Sequence, residues 1–187
     1  GIILSALSLV LIPTGLEGLN LVEFIFSFLT GTLIFMFINK SLEKKGGKTA
    51  TLLAMLMDFI PESIALGAVF ATDTSMALLL ATFIGLQNLP EAFNSFRDMV
   101  KSGFTVKKTL LIFFVISFFG IISALLGHFL LANSPYITNH LMTFASGGIL
   151  YLLFQDIIPE SKLEKNYLTS LGASIGFLVG VIGEKII

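Results

Sequence analysis

Long apolar runs separated by short polar connectors organise this chain. Runs of about twenty residues fall near 20–39, 49–72, 75–96, 108–131, 139–160 and 166–186, each long enough as a helix to cross a hydrocarbon layer of ~30 Å. A further run, 1–12, is too short to cross. The connectors are Pro13 to Gly18, Ser41 to Lys48, Thr72 to Thr74, Arg97 to Lys107, Ala132 to Thr138 and Ser161 to Asn166, where Gly, Pro and charged residues collect. Backbone inside lipid must satisfy its own hydrogen bonds, and these runs are too long and too evenly apolar for barrel strands. The pattern therefore predicts an all-α integral membrane protein, a polytopic helical bundle forming one transmembrane domain over 1–187.

Composition agrees: 55% of the 187 residues are hydrophobic, 12% are charged and 19 are Phe, with a mean hydropathy of +0.95. An ordinary water-soluble domain is far less apolar. There is no Cys, which excludes disulfides and thiolate metal sites, so any metal is held by oxygen or by the two His. The net charge of −1 gives no reason to expect a nucleic-acid partner. No cleavable leader is recognisable at Gly1-Ile2-Ile3-Leu4, and the opening reads as a cut end.

Charge placement says more than charge total. Lys40, Lys44, Lys45 and Lys48 share one connector, Arg97, Lys101, Lys107 and Lys108 the next but one, and Lys162 and Lys165 the next but one again. Ten of the 11 basic residues thus alternate onto one side. By the positive-inside rule those Lys-rich loops are cytoplasmic and the C-terminus lies outside, in a multi-pass protein of the plasma or inner membrane. A weak internal repeat accompanies this. Setting Pro13 on Pro159 lays Leu11-Ile12-Pro13 over Ile157-Ile158-Pro159 and Gly1-Ile2-Ile3-Leu4 over Gly147-Gly148-Ile149-Leu150. The two segments run in opposite directions through the membrane, as in an inverted repeat.

Two central runs carry buried acids. Asp58-Phe59-Ile60-Pro61-Glu62-Ser63 and Gln87-Asn88-Leu89-Pro90-Glu91-Ala92 each set a polar side chain four residues before the Glu of a Pro-Glu pair, so Asp58 and Glu62, like Gln87 and Glu91, share a helical face. A carboxylate at mid-membrane costs roughly 2.5–3.5 kcal/mol on insertion scales. A bound divalent cation is the simplest compensation. The two runs are joined so tightly that they must be antiparallel, bringing both pairs to a common depth. Each proline also frees a carbonyl, at Met57 and Leu86, adding oxygen density near the acids.

These segments resemble the paired metal-binding helices, the fourth and fifth, of the ZIP (zinc- and iron-regulated-transporter-like) divalent metal transporters. The likeness extends to Phe144 through Glu160-Ser161, similar to the family's seventh helix, and to Gly1 through Glu17, similar to the end of its second. The resemblance implies an eight-helix three-two-three fold with inverted repeats, the first helix and the start of the second lying outside this sequence, and a homodimer. It implies that Asp58, Glu62, Gln87 and Glu91 are the ligands of a transport site, and that Asn88 matches a residue contributing to a second site in two-metal members. This sequence departs from the family at Asp58, where His is usual, at Phe59, where Asn is usual, at Ser63 and Ala92, where Gly is usual, and at Gly120, which takes the place of a Glu ligand. A single site is therefore expected.

Three carboxylates and an amide form an all-oxygen set that suits Mn²⁺ or Fe²⁺ while leaving Zn²⁺ open, with Cd²⁺ as a surrogate. Three acids against one divalent ion also leave a surplus negative charge, which a proton shared between Glu62 and Glu91 would balance. Gln155, Asp156 and Glu160 read equally as an exit station for the metal or as an acidic helix end. His128, His140 and Glu23 fall near the outer surface, where solvated interfacial groups are the common case. The expected function is transport of a divalent cation toward the cytoplasm by alternating access rather than enzymatic chemistry. The rivals are a non-transporting membrane metal sensor and a carboxylate-metal membrane enzyme, the latter disfavoured because neither His lies near the acids.

Overall fold

The computed structural model describes residues 1–45, 50–161 and 167–186. Among these residues there is no strand, and seven helical rods account for nearly all of the chain. They are α1 (Ile2–Gly18), α2 (Leu21–Lys45), α3 (Ala50–Thr72), α4 (Thr74–Lys101), α5 (Val106–Leu131), α6 (135–161) and α7 (Leu168–Ile186). Four of them, at Leu21–Leu42, Val106–Leu131, Pro135–Ile157 and Leu168–Ile186, are long and apolar enough to cross a membrane. Their outward faces carry Phe26, Phe37, Phe114 and Phe129 well exposed, a surface suited to lipid and not to water. This is an all-α integral membrane protein.

Local chemistry sets the helix ends. Asn20 Oδ1 accepts from the Val22 and Glu23 amides while Glu23 Oε2 accepts from the Asn20 amide, a reciprocal cap that starts α2. Asp73 alone separates α3 from α4 and caps α4 by accepting from the Met76 amide at 2.9 Å. Between α4 and α5 the chain turns at Gly103, whose φ of 94° suits only a residue without a Cβ. Pro135 opens α6 at a position where its missing N–H costs nothing.

One connector expected from the sequence is helical instead. Pro13 to Gly18 continues α1, because the helix absorbs the proline by widening to a π-turn over Leu7–Leu11. The Ile12 amide donates to the Leu7 carbonyl, five residues back. A second π-turn occupies Leu153–Ile157 in α6, where the Ile158 amide donates to the Leu153 carbonyl, again just before a proline. The five-residue span, the i to i−5 hydrogen bond and the proline that follows all recur in the second turn at the offset that superposes Pro13 on Pro159.

The same correspondence governs helix packing. A Cβ on Gly1 would lie 1.9 Å from the Ala173 carbonyl oxygen of α7, and one on Gly147 would lie 2.0 Å from the Phe28 carbonyl oxygen of α2. Gly176 also faces α1, with a Cβ there 3.3 Å from the Ile2 amide nitrogen, and Gly31 faces α6 more closely, at 1.9 Å from the Phe144 carbonyl oxygen. Thus α1 seats on α7 as α6 seats on α2, with glycines where backbones touch. The helix hairpin α3–α4 lies between these pairs, and α5 packs along α3, where Gly67 meets the Ala124 carbonyl and Gly127 the Ile64 carbonyl.

Candidate metal site

Both acidic segments belong to the α3–α4 hairpin. Asp58 stands fifteen residues before Asp73 and Gln87 fourteen after it, so these two backbone positions lie at one level of antiparallel helices. Glu62 is one turn nearer the hairpin bend and Glu91 one turn further from it. Pro61 lies inside an unbroken α3. The side chains of Asp58, Gln87, Glu91 and Glu160 lie outside the described ones, so the structure places these residues by backbone alone.

Glu62 is described, and its setting is unusual. Its residue is 3% exposed, and among the described residues it is the one ionisable group lining a small, partly enclosed cavity otherwise bounded by apolar side chains, including Leu7, Leu11, Ala65, Leu80, Ile84 and Ile149. The cavity holds about 10 Å³, room for one water at most. The apolar cluster around it draws on α1, α3, α4 and α6, with Val10 and Met142 fully buried. On α3 and α4 its members run from the level of Glu62, at Ile84, toward the hairpin bend, at Ala65, Val69, Ala77, Leu79, Leu80 and Phe83, away from the basic loops. The hairpin is therefore packed with apolar side chains on the bend side of Glu62. Hydrophobic periodicity could not reveal this, because in a membrane helix sealing and lipid-facing residues have the same composition.

The neighbourhood of Phe59 explains two departures together. The Phe59 ring lies against Gly120 of α5, where an added Cβ would come within 2.3 Å of ring atom Cζ. An aromatic ring fills the space between α3 and α5 next to the acidic segment, and no side chain fits opposite it. Asn88 is half-buried, and its Oδ1 is buried without a hydrogen-bond partner among the described residues. A burial of that kind costs roughly 1–3 kcal/mol.

The remaining candidates separate from the site. Asp156 Oδ2 accepts from Asn39 Nδ2 at 2.9 Å, tying α6 to α2. Gln155 lines a groove of about 320 Å³ between α2 and α6, with Phe28, Thr32 and Tyr151, on a face that no residue of the α3–α4 hairpin lines. Glu23 Oε1 accepts from Tyr136 Oη at 2.7 Å, and His140 Nδ1 pairs with Ser27 Oγ. His128 packs between the rings of Phe70 and Phe129. Among the described residues no group of three or more His, Asp or Glu converges to hold a metal.

A lipid-exposed helical bundle, an acid sunk in its apolar centre and two inverted, glycine-seated repeats around a helix hairpin define a polytopic helical membrane protein. The ZIP zinc transporter family profile matches residues 47–183, and the chain belongs to that family. It is 21% identical over 157 residues to the uncharacterized zinc transporter P8A3.03 of Schizosaccharomyces pombe, a match covering 75% of this chain and 35% of that protein. It is 34% identical over 77 residues to protein zntB of Dictyostelium discoideum, covering 41% of this chain and 20% of that protein. The chain thus spans about a third or less of the length of these relatives. No solved structure matches it.

Proposed function

We propose that the protein moves a divalent metal cation across a membrane toward the cytoplasm, through one midplane site formed by Asp58, Glu62, Gln87 and Glu91. The observation that carries this reading is the burial of Glu62 in an apolar cavity within a helix hairpin that carries a Pro-Glu pair on each arm, in a chain of the ZIP family. A carboxylate buried at that depth is costly, and a cation arriving between α3 and α4 offsets the cost. The relatives' names put Zn²⁺ first among cargoes, and the all-oxygen donor set extends the range to Mn²⁺ and Fe²⁺. One ion at a time is favoured because Phe59 and Gly120 fill the α5 side of the acidic segment. Asn88, with its orphaned Oδ1, is the next donor in line.

In this reading the basic loops face the cytoplasm, so the apolar cluster beyond Glu62 closes the outer path and the conformation is sealed from outside. Alternating access then requires that seal to part. By the family resemblance the working unit is a homodimer, which crosslinking in membranes tests. Vesicle uptake tests the function: Glu62→Gln and Glu91→Gln abolish Zn²⁺ uptake while the purified proteins keep their helical content and elution profile. Equilibrium binding should count one ion per chain. Uptake that survives both substitutions refutes the site, and metal binding without flux in the unaltered protein favours a sensor.

A further inference from the structure

The two π-turns occupy equivalent positions in repeats of opposite direction. Leu7–Leu11 therefore lies toward the hairpin-bend end of the molecule and Leu153–Ile157 toward the basic-loop end, one on each side of Glu62 in depth. We propose that they are a matched pair of gate elements, each letting the end of its helix change register and so open or close one side of the metal site. The word gate rests on the transport reading above; the register change itself does not.

Three observations support the assignment. First, each turn has a structural cause that also makes it reversible. Pro13 and Pro159 have no N–H and their rings exclude the carbonyl four residues earlier, at Leu9 and Gln155. A turn widened by one residue relieves that conflict, and its five-residue hydrogen bonds, Ile12 to Leu7 and Ile158 to Leu153, are the rarer alternative to the α pattern that the rest of each helix keeps. Second, the first turn presses on the site. Leu7 and Leu11 bracket it, are 1% and 3% exposed, and both line the Glu62 cavity. Third, the second turn touches the same packed core from its own helix, with Leu153 buried and Ile157 against the cluster.

Converting a π-turn to α at constant length rotates one side of the helix against the other by one residue, about 100°, and shifts it by about 1.5 Å. At the first turn this would carry Leu11 off the face it shares with Leu7 and uncover Glu62 from the outer side. At the second it would withdraw Ile157 from the inner side. The two motions are independent in sequence and opposed in direction, which is what a site open to one side at a time requires.

The 187 residues contain no Cys, so a single engineered thiol reports cleanly once any other cysteine of the full-length protein is removed. Leu80→Cys places it in the cavity wall at a position that is almost fully buried. With a membrane-impermeant maleimide applied from outside, adding Pro13→Ala should raise its labelling rate at least tenfold, whereas adding Pro159→Ala should not. Deleting the exposed Ser8 removes the extra residue while keeping the faces on either side aligned, and should hold labelling at the low rate and stop Zn²⁺ uptake. The proposal is overturned if Pro13→Ala leaves labelling unchanged, if both proline variants raise it equally, or if the Ser8 deletion transports normally. Uptake by the unaltered protein judges the transport reading separately: a labelling response in a protein that never moves metal keeps the register change and removes the gate.

Discussion

The seat of α6 on α2 and the seat of α1 on α7 are the same joint built twice, yet they are fastened differently. Both bring backbones together over glycine. The α2–α6 joint adds polar ties along its length: Tyr136 to Glu23, His140 with Ser27, Thr32 to the Gly147 carbonyl at 3.1 Å, and Asn39 to Asp156. At the α1–α7 joint the buried Ser5 hydroxyl turns back to the Ile2 carbonyl of its own helix, and the contact is made by its bulk against Gly180. A glycine seat gives close dispersion contact with little preference for one register, whereas directional hydrogen bonds fix one. The comparison teaches that inverted repeats can share a shape while one is riveted and the other is free to slide.

The sharpest way to break that contrast is at Gly31, where a Cβ would lie 1.9 Å from the Phe144 carbonyl oxygen. Backbone cannot yield, so Gly31→Ala should destabilise by upward of about 3 kcal/mol, read as a collapse of Tm or of the monodisperse peak. Gly180→Ala meets a side chain, Ser5 Oγ and Cβ, instead. It should cost about 1–3 kcal/mol, and Ser5→Gly should restore the Tm to within about 1 kcal/mol of the parent. No such second-site rescue is available at Gly31. Next in size, Asn39→Ala removes a buried donor from Asp156 and should cost about 1.5–3 kcal/mol, with no change in metal affinity. Tyr136→Phe removes only an exposed tie at the other end of α6 and should lower Tm less than Asn39→Ala. A Tyr136→Phe effect larger than that of Asn39→Ala would show that the α2–α6 rivets act at the opposite end from the one argued.

Much of this architecture was legible beforehand, and the reason is the bilayer. Apolar runs of membrane length, polar punctuation and the prohibition on unsatisfied backbone leave helices as the single outcome for 21–42, 106–131, 135–157 and 168–186. Pro13 misled, since its breaker chemistry suggested a connector and the π-turn that accommodates it has no signature in hydrophobic periodicity. Only the match of Ile12-Pro13 to Ile158-Pro159 hinted at a shared local solution. Phe59 and Gly120 were each visible as departures, but their contact depends on how α3 and α5 rotate against each other, which composition does not encode. Gln155, Asp156 and Glu160 read equally as an exit station or as an acidic helix end; the helix sets Gln155 on a groove and Asp156 on Asn39.

The bend at Asp73 carries its own consequence for how the molecule is made. A single residue between α3 and α4 means that all four proposed ligand positions reside in one contiguous hairpin. The two halves must cross the bilayer as a unit, so the carboxyl groups have each other for company from their first moment away from water and are never stranded singly in hydrocarbon. Lengthening that bend would delay the pairing and penalise biogenesis before it ever touched the finished protein.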